Sequence, residues 1–525
     1  MATAAARPHF TDRYRGYVLS LLLLAYTLNF VDRTILATIG IKIREDLHLS
    51  SAQMGILGGL YFALTYTILG IPIARIAERV KRTGIIALAL IVWSGFTALC
   101  GTASNFGTMA LYRFGVGIGE AGCSPPSHSL ISDYYEPKKR ASALSIYSFG
   151  IPLGTMFGAA IGGYLADWFG WRAAFFVVGL PGILLAIVVW LTVKEPPRGH
   201  ADALVAAAVP GAVEPPVVVR PKVTFLTEIS EIGAVLKALF LQWPVANMAL
   251  GVTIASFGSY GSGAFVPQYI YTTFPLSLGL TGLLVGLIGG FSSGIGTLAG
   301  GFLTDRLSRR SPVWYSLTPA IGLLIALPIY LLAYTRPSWQ LTFLILLIPG
   351  IFHYTYLAPT FAVAQNAVPT HRRATATALL FFFLNFIALG GGPTFTGTLV
   401  DYYAAYGYAH PGALSVWPAL GGALMHATGE TLMSYVHIVT GLIDMVAGAK
   451  PTLLPAPATG FAQACPGGRA PAAAGKAAAM ACKGALSWGS QQGVLLSLCF
   501  YAWASLHYFL GCIGLTKALR KNVVV

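Results

Sequence analysis

Apolar stretches bounded by charged residues, proline or glycine recur along the whole chain. They lie at 16–40, 53–75, 84–103, 107–133, 141–165 and 172–193, and again at 244–268, 281–303, 313–334, 340–368, 374–400 and 491–516. About 20 apolar residues in a helix cross a bilayer core. Twelve such stretches predict an all-α membrane protein with twelve transmembrane helices, because lipid leaves no partner for an unpaired backbone amide. The first stretch follows Arg7, Arg13 and Arg15 as a signal peptide would. It is too long for one, lacks a small-residue cleavage site and contains Asp32 and Arg33, so it reads as a retained helix.

Two segments break the pattern and divide the chain. Residues 1–193 form a first six-helix half, 194–243 a cytoplasmic linker and 244–525 a second half. Within the linker, 199–222 is rich in Ala, Val and Pro, and 223–240 mixes Glu228, Glu231 and Lys237 with apolar residues at helical spacing, predicting an interfacial amphipathic helix. The stretch 401–490, rich in Ala, Gly and Pro, is expected outside the membrane, with amphipathic surface helices at 416–425 and 432–446. Cys465 and Cys482 fall within it, where an oxidising compartment permits a disulfide. Two free thiols are the alternative.

Composition agrees with a polytopic protein: 56% of the 525 residues are hydrophobic and 10% charged, against roughly 25% charged in soluble domains. The net charge of +15 would suggest nucleic acid in a soluble protein, but its distribution explains it otherwise. Of the Lys and Arg residues, 23 lie in alternate segments on the side of the termini and eight on the other. That is the positive-inside pattern of a multi-pass protein with both termini cytoplasmic, expected in a bacterial inner (plasma) membrane as a monomer without nucleic-acid partners. No Cys-x-x-Cys or His-Glu-x-x-His spacing suggests a metal. Around Gly475 and Lys476 the phosphate-loop pattern fails at Ala470 and Ala477, and no nucleophile and base converge in the spans. These observations argue against an enzyme and against a bound cofactor.

The two halves repeat. "ARIAERVKRT" (74–83) and "GFLTDRLSRR" (301–310) each join two spans with an acid–Arg pair, Glu78 with Arg79 and Asp305 with Arg306, followed by more bases. "RASAL" from Arg140 answers "RATAT" from Arg373, and "YLADWFG" with Asp167 answers "TLVDYY" with Asp401. Both charged loops resemble the major facilitator superfamily signature Gly-x-Leu-x-Asp-Arg-x-Gly-Arg-Arg, the second more closely, since the first has Ala74, Glu78 and Lys81 at signature positions. The resemblance implies the major facilitator fold of two pseudo-symmetric halves, with these loops as gates. "NFVDRTIL" (29–36), "RFGVGIGEAGCSPP" (113–126) and "GIPLGTMFGAAIGGYLADWFGWR" (150–172) resemble the Spinster group, exporters of lysosphingolipids and lysophospholipids. That likeness implies an amphipathic lipid substrate, with Asp32, Arg33 and Glu120 as its central polar site.

Only Asp32, Arg33, Arg113 and Glu120 lie deep in the twelve spans. A charge at the bilayer centre costs about 2.5 to 3.5 kcal/mol, which marks these four as functional. Asn29, Asp32 and Arg33 share one helix face, as do Arg113 and Glu120. Two bases can hold an anionic head group, with Asn29 beside them. Two acids can carry the coupled proton when an anion displaces them from their partners. The second half offers an aromatic, charge-free wall for a tail, with Phe257, Tyr260, Tyr356, Phe361, Phe382 and Phe386 as its lining. The expected function is proton-coupled alternating access moving an anionic lipid. Transport of another organic anion or drug, or a non-transporting lipid receptor, are the alternatives. The superfamily resemblance implies that the fifth and eighth helices face each other between the halves. Their glycine ridges at 150, 154, 158, 162 and at 282, 286, 290, 294 are therefore expected to serve there as smooth sliding surfaces. Ordinary tight packing within one half is the alternative.

Overall fold

The computed structural model describes residues 10–77, 79–201, 225–369, 372–411, 417–446 and 460–521, and among them it contains helices and turns but no strand. The first bundle starts with α1 (Asp12–Leu47), capped by Thr11, whose side chain accepts from the Tyr14 amide. Next come α2 (51–77), α3 (Arg82–Cys100) and α4, made of Phe106–Ala121 and Ser124–Tyr134. A continuous helical run over 137–192 is broken at Gly170, whose φ of 82° only glycine adopts freely. It therefore counts as two helices, α5 (137–169) and α6 (171–192). Gly154 and Gly158 of α5 lie against α1, while Gly179 and Gly182 of α6 lie against α3.

After the linker helix α7 (Phe225–Phe240) the second bundle runs through α8 (Trp243–Thr273), α9 (278–308), α10 (Trp314–Tyr334), α11 (339–366) and α12 (373–409). It closes with α14 (475–511), after a further helix, α13 (Trp417–Val446). Among the described residues, ten helical stretches are long and apolar enough to cross a membrane. One of them, Ser142–Thr192, is 51 residues long and holds both α5 and α6, and α4 completes a set of twelve passages.

Two parts depart from the sequence reading. Within the segment 401–490, the two separate surface helices expected at 416–425 and 432–446 are one continuous helix, α13, which lies along α12. The rings of Tyr402 and His426 are 5.8 Å apart, and the Tyr435 hydroxyl donates to the Phe386 carbonyl at 2.5 Å. Its hydroxyls are satisfied within the helix, Thr428, Thr431, Ser434 and Thr440 each donating to the carbonyl four residues back. The glycine ridges also part company. Gly154, Gly158 and Gly162 of α5 accommodate Phe30, Val31 and Ile35 of α1 within the first bundle, whereas Gly282, Gly286 and Gly290 of α9 do cross to the backbone of α5.

Three helices, α2, α9 and α12, carry a π turn, at Ile56–Leu60, Ile288–Ser292 and Leu384–Leu389. Gly59 in the first lets the backbone of Leu389 approach so closely that a Cβ there would lie 2.5 Å from its carbonyl oxygen. The polar links found between the two bundles gather at the end away from the termini, here called the far end. There Asp401 of α12 accepts from the Ser51 and Ala52 amides that start α2, at 2.9 and 2.8 Å. In the same way Asp167 of α5 accepts from the Gly279 amide that starts α9, at 2.7 Å. A carboxylate at the end of one helix thus satisfies the open amides of a helix from the other bundle, where the helix dipole also favours it.

Candidate functional site

The four deep charges meet inside the first bundle. Arg33 Nε donates to Glu120 Oε2 at 2.7 Å, joining α1 to α4, with Glu120 fully buried and the Arg33 side chain 20% exposed. The guanidinium carbon sits 4.9, 4.6 and 4.9 Å from the ring centres of Phe30, Phe62 and Tyr66, an aromatic collar that holds the cation without neutralising it. Glu120 Oε1 has no hydrogen-bond partner. Asn29 lies within electrostatic reach of Glu120, yet neither of its amide atoms makes a hydrogen bond of normal geometry.

Asp32 and Arg113 are also buried, at 2% and 1% exposure, but stop short of an ion pair. Thr97 of α3 donates to Asp32 Oδ2 at 3.2 Å and Oδ1 is unpartnered. Arg113 Nε reaches only the Leu57 carbonyl at the π turn of α2, at 3.5 Å, and its Nη1 is unpartnered. Buried polar groups are normally satisfied, and here five polar atoms, on Asn29, Asp32, Arg113 and Glu120, have no protein hydrogen-bond partner.

The aromatic wall proposed for the second half is only partly there. Phe257 is packed between Phe395 and Phe500, and Tyr356 is 2% exposed with its hydroxyl on Ser256 at 3.0 Å, so both belong to the core of the second bundle. Their rings fill space between helices that periodicity alone could not position. Tyr260 is 42% exposed and within electrostatic reach of Arg33 and Tyr66. Phe361 meets Phe381 at 4.7 Å, and Phe382 stacks on Phe386, which touches Tyr435 of α13. Beside Tyr260 the wall is polar rather than carbon-lined. Ser259 is within hydrogen-bonding reach of Tyr354 and Tyr501, and behind them His353 Nδ1 lies 3.3 and 3.4 Å from the hydroxyls of Tyr330 and Tyr501.

The sequence reading misses Phe30, Phe62, Tyr66 and Thr97. It assigns Tyr354 to the aromatic wall and His353 to packing, without grouping them with Ser259, Tyr330 and Tyr501. Phe30, three residues before Arg33 on the same helix face, was the one visible signal. Of the loop residues, Glu78 lies outside the described residues. Arg79 is exposed, and its neighbours Ala77 and Val80 give their carbonyls to Arg198. Asp305 lines a cavity of about 200 Å³ with Thr304, Tyr315 and Pro359, and Arg306 is exposed in the last turn of α9. Cys465 and Cys482 are joined by a disulfide.

Comparison with known proteins places the chain as a whole. Residues 22–393 match the family model described as Major Facilitator Superfamily. An MFS-type efflux pump of Mycolicibacterium smegmatis is 32% identical over 380 residues, 72% of this chain and 83% of that protein. The hexuronate transporter of Bacillus subtilis is 25% identical over 417 residues, 77% of this chain and 92% of that one. Among solved structures, a bacterial homolog of the human lysosomal transporter Spinster, in an inward-facing and unoccupied conformation, superimposes with a TM-score of 0.73. It is 31% identical, and the match covers 98% of this chain and 99% of that one.

Proposed function

Because the chain belongs to the major facilitator superfamily, we propose that this membrane transporter moves an anionic amphipathic lipid, a lysosphingolipid or lysophospholipid, by proton-coupled alternating access. The Spinster-like fold supports the substrate class, and one observation carries the chemistry: the Arg33–Glu120 pair, with the arginine partly open to the interior and held by three rings. A phosphate arriving at Arg33 competes with Glu120 for the same guanidinium. The displaced carboxylate, in a site poor in water, takes up a proton, and Asp32 beside it offers a second acceptor. Arg113 supplies a further donor to the anion, and Asn29 the amide. Tyr260, Ser259 and Tyr354 face the head group from the second half, while Phe361, Phe382 and Phe386 accommodate the tail.

The transporter works in this reading without a bound cofactor or nucleic acid, with protons as coupling ion. It acts as a monomer in a bacterial inner membrane with its termini in the cytoplasm, as the placement of basic residues supports. The exposed signature-loop residues Arg79, Asp305 and Arg306, with Glu78, close the termini end when the far end opens. Transport of another organic anion is the second reading, favoured by the hydroxyl-rich wall around Tyr260 and by the likeness to a hexuronate transporter.

Competition in proteoliposomes separates the two. Uptake of a labelled lysophosphatidic acid should be blocked by unlabelled lysolipid and untouched by a hexuronate. Arg33→Ala should weaken the phosphate-bearing lipid about tenfold more than a neutral monoacylglycerol. Inhibition by the hexuronate alone would decide for the second reading.

A further inference from the structure

The far end of the bundles holds an arrangement that substrate binding does not use. The Cys465–Cys482 disulfide ties a short turn, 465–469, to the start of α14. Gly467 and Gly468 in this turn both have positive φ, 63° and 78°, and both rest on the end of α1. A Cβ at Gly467 would lie 2.4 Å from the Arg44 carbonyl oxygen, and one at Gly468 2.1 Å from Arg44 Nη2. Only glycine permits both this backbone and this approach. Arg44 itself is 2% exposed and its Nη1 donates to Ser51 Oγ at 2.9 Å. The Ser51 and Ala52 amides in turn bind Asp401. At the rim, Arg469 Nη1 lies 3.8 Å from Glu45 Oε2.

The turn belongs to the second bundle, Arg44 and Ser51 to the first, and Asp401 to the second again. We propose that the disulfide-bonded turn 465–469 is a strap that locks the far end shut over Arg44, and that the Cys465–Cys482 bond is a thiol-exchange site whose reduction releases it. Opening the far end has to separate α2 from α12 at Asp401. Arg44, pinned between Ser51 and the turn, couples that separation to lifting of the strap. The disulfide holds the two glycines in their docked shape, and cutting it returns conformational freedom to the loop. Both cysteines are 1% exposed, so a thiol reaches them during brief openings of the turn, and reduction then keeps the strap from redocking. In the exchange, a thiolate of a dithiol attacks one cysteine sulfur and forms a mixed disulfide, releasing the other cysteine as a thiolate. The second thiol of the reagent then displaces the first cysteine. Two electrons and two protons pass to the protein, leaving two cysteine thiols and the oxidised, cyclic reagent.

Amide hydrogen exchange at Ser51 and Ala52 reads the lock directly, because those amides are bonded to Asp401. It should be compared in the oxidised transporter, in the same protein reduced with dithiothreitol, and in Gly467→Ala, which dislodges the strap with the disulfide intact. Exchange at Ser51 and Ala52 should rise about tenfold or more in both altered forms, with α3 amides unchanged, and reoxidation should restore protection. Unchanged exchange at Ser51 and Ala52, with faster exchange confined to 460–474, would overturn the proposal. So would loosening of α3 in parallel, since the bond would then be supporting the fold at large.

Discussion

In the proposed mechanism Glu120 and an incoming anion compete for one guanidinium, which makes the two carboxylates of the site separable. In Glu120→Gln the competitor is gone while its shape remains. Phosphate-bearing lysolipid should bind about tenfold more tightly, a gain of about 1.4 kcal/mol, while a pH gradient loses its effect on transport. Asp32→Asn keeps the Thr97 hydroxyl supplied with a partner and should leave binding within about twofold, while also blunting the pH response. Equilibrium binding in detergent and uptake in proteoliposomes measure the two effects; equal affinity of Glu120→Gln and the parent would place the anion away from Arg33. The four charges were legible in the sequence because nothing else charged interrupts the apolar runs. Their partnering was not. Asn29, Asp32 and Arg33 share a helix face, but rotamers send Arg33 to α4 and Asp32 to α3. The collar of Phe30, Phe62 and Tyr66 is hidden among 29 Phe and 25 Tyr in a chain where aromatic rings are common everywhere.

At the scale of helices, the apolar runs located the spans and the glycines located close approaches, but neither says which helix approaches. Gly158 meets the backbone of Val31 at 2.8 Å from a built Cβ, inside the first bundle, whereas Gly286 meets the Met156 carbonyl at 2.6 Å, between bundles. Leucine should therefore act differently at the two sites. Gly158→Leu should lower the melting temperature, overpacking costing about 1 to 3 kcal/mol. Gly286→Leu should leave the melting curve nearly unchanged and instead favour separation of the far ends, seen by spin-label distances across α5 and α9. Identical effects of the two substitutions would contradict this assignment. The π turns in α2, α9 and α12 escaped the sequence reading because one extra residue in a turn does not disturb an apolar run. Helix α13 reads as two pieces in the sequence because Gly, His and Asp444 interrupt its apolar patches, whereas the helix runs unbroken over Trp417–Val446.

For the whole molecule, the two far-end carboxylates are a symmetric pair, Asp167 on the start of α9 and Asp401 on the start of α2. The sequence showed them as equivalent positions of a repeat but not as contacts between halves, since a repeat reveals correspondence and not docking. Removing either charge, in Asp167→Asn or Asp401→Asn, should cost the far-closed state about 1 to 2 kcal/mol, and the open-to-closed ratio should rise roughly five- to thirtyfold. The double variant should combine both effects. Spin-label distances across the far end test it, and a ratio unmoved by either substitution would remove them from the gate. The interior charges bear on the molecule in one more way. In the proposed cycle Asp32, Arg33, Arg113 and Glu120 sum to zero when all are ionised, so these four groups add no net charge to the empty carrier and its return should be indifferent to voltage. A loaded carrier is neutral only when its cargo's charge and the protons taken up cancel. Each uncancelled charge couples to the membrane potential by about 2.3 kcal/mol per 100 mV. Current recorded on a supported membrane should accordingly flow in one half of the cycle alone, and its sign would count protons against phosphate.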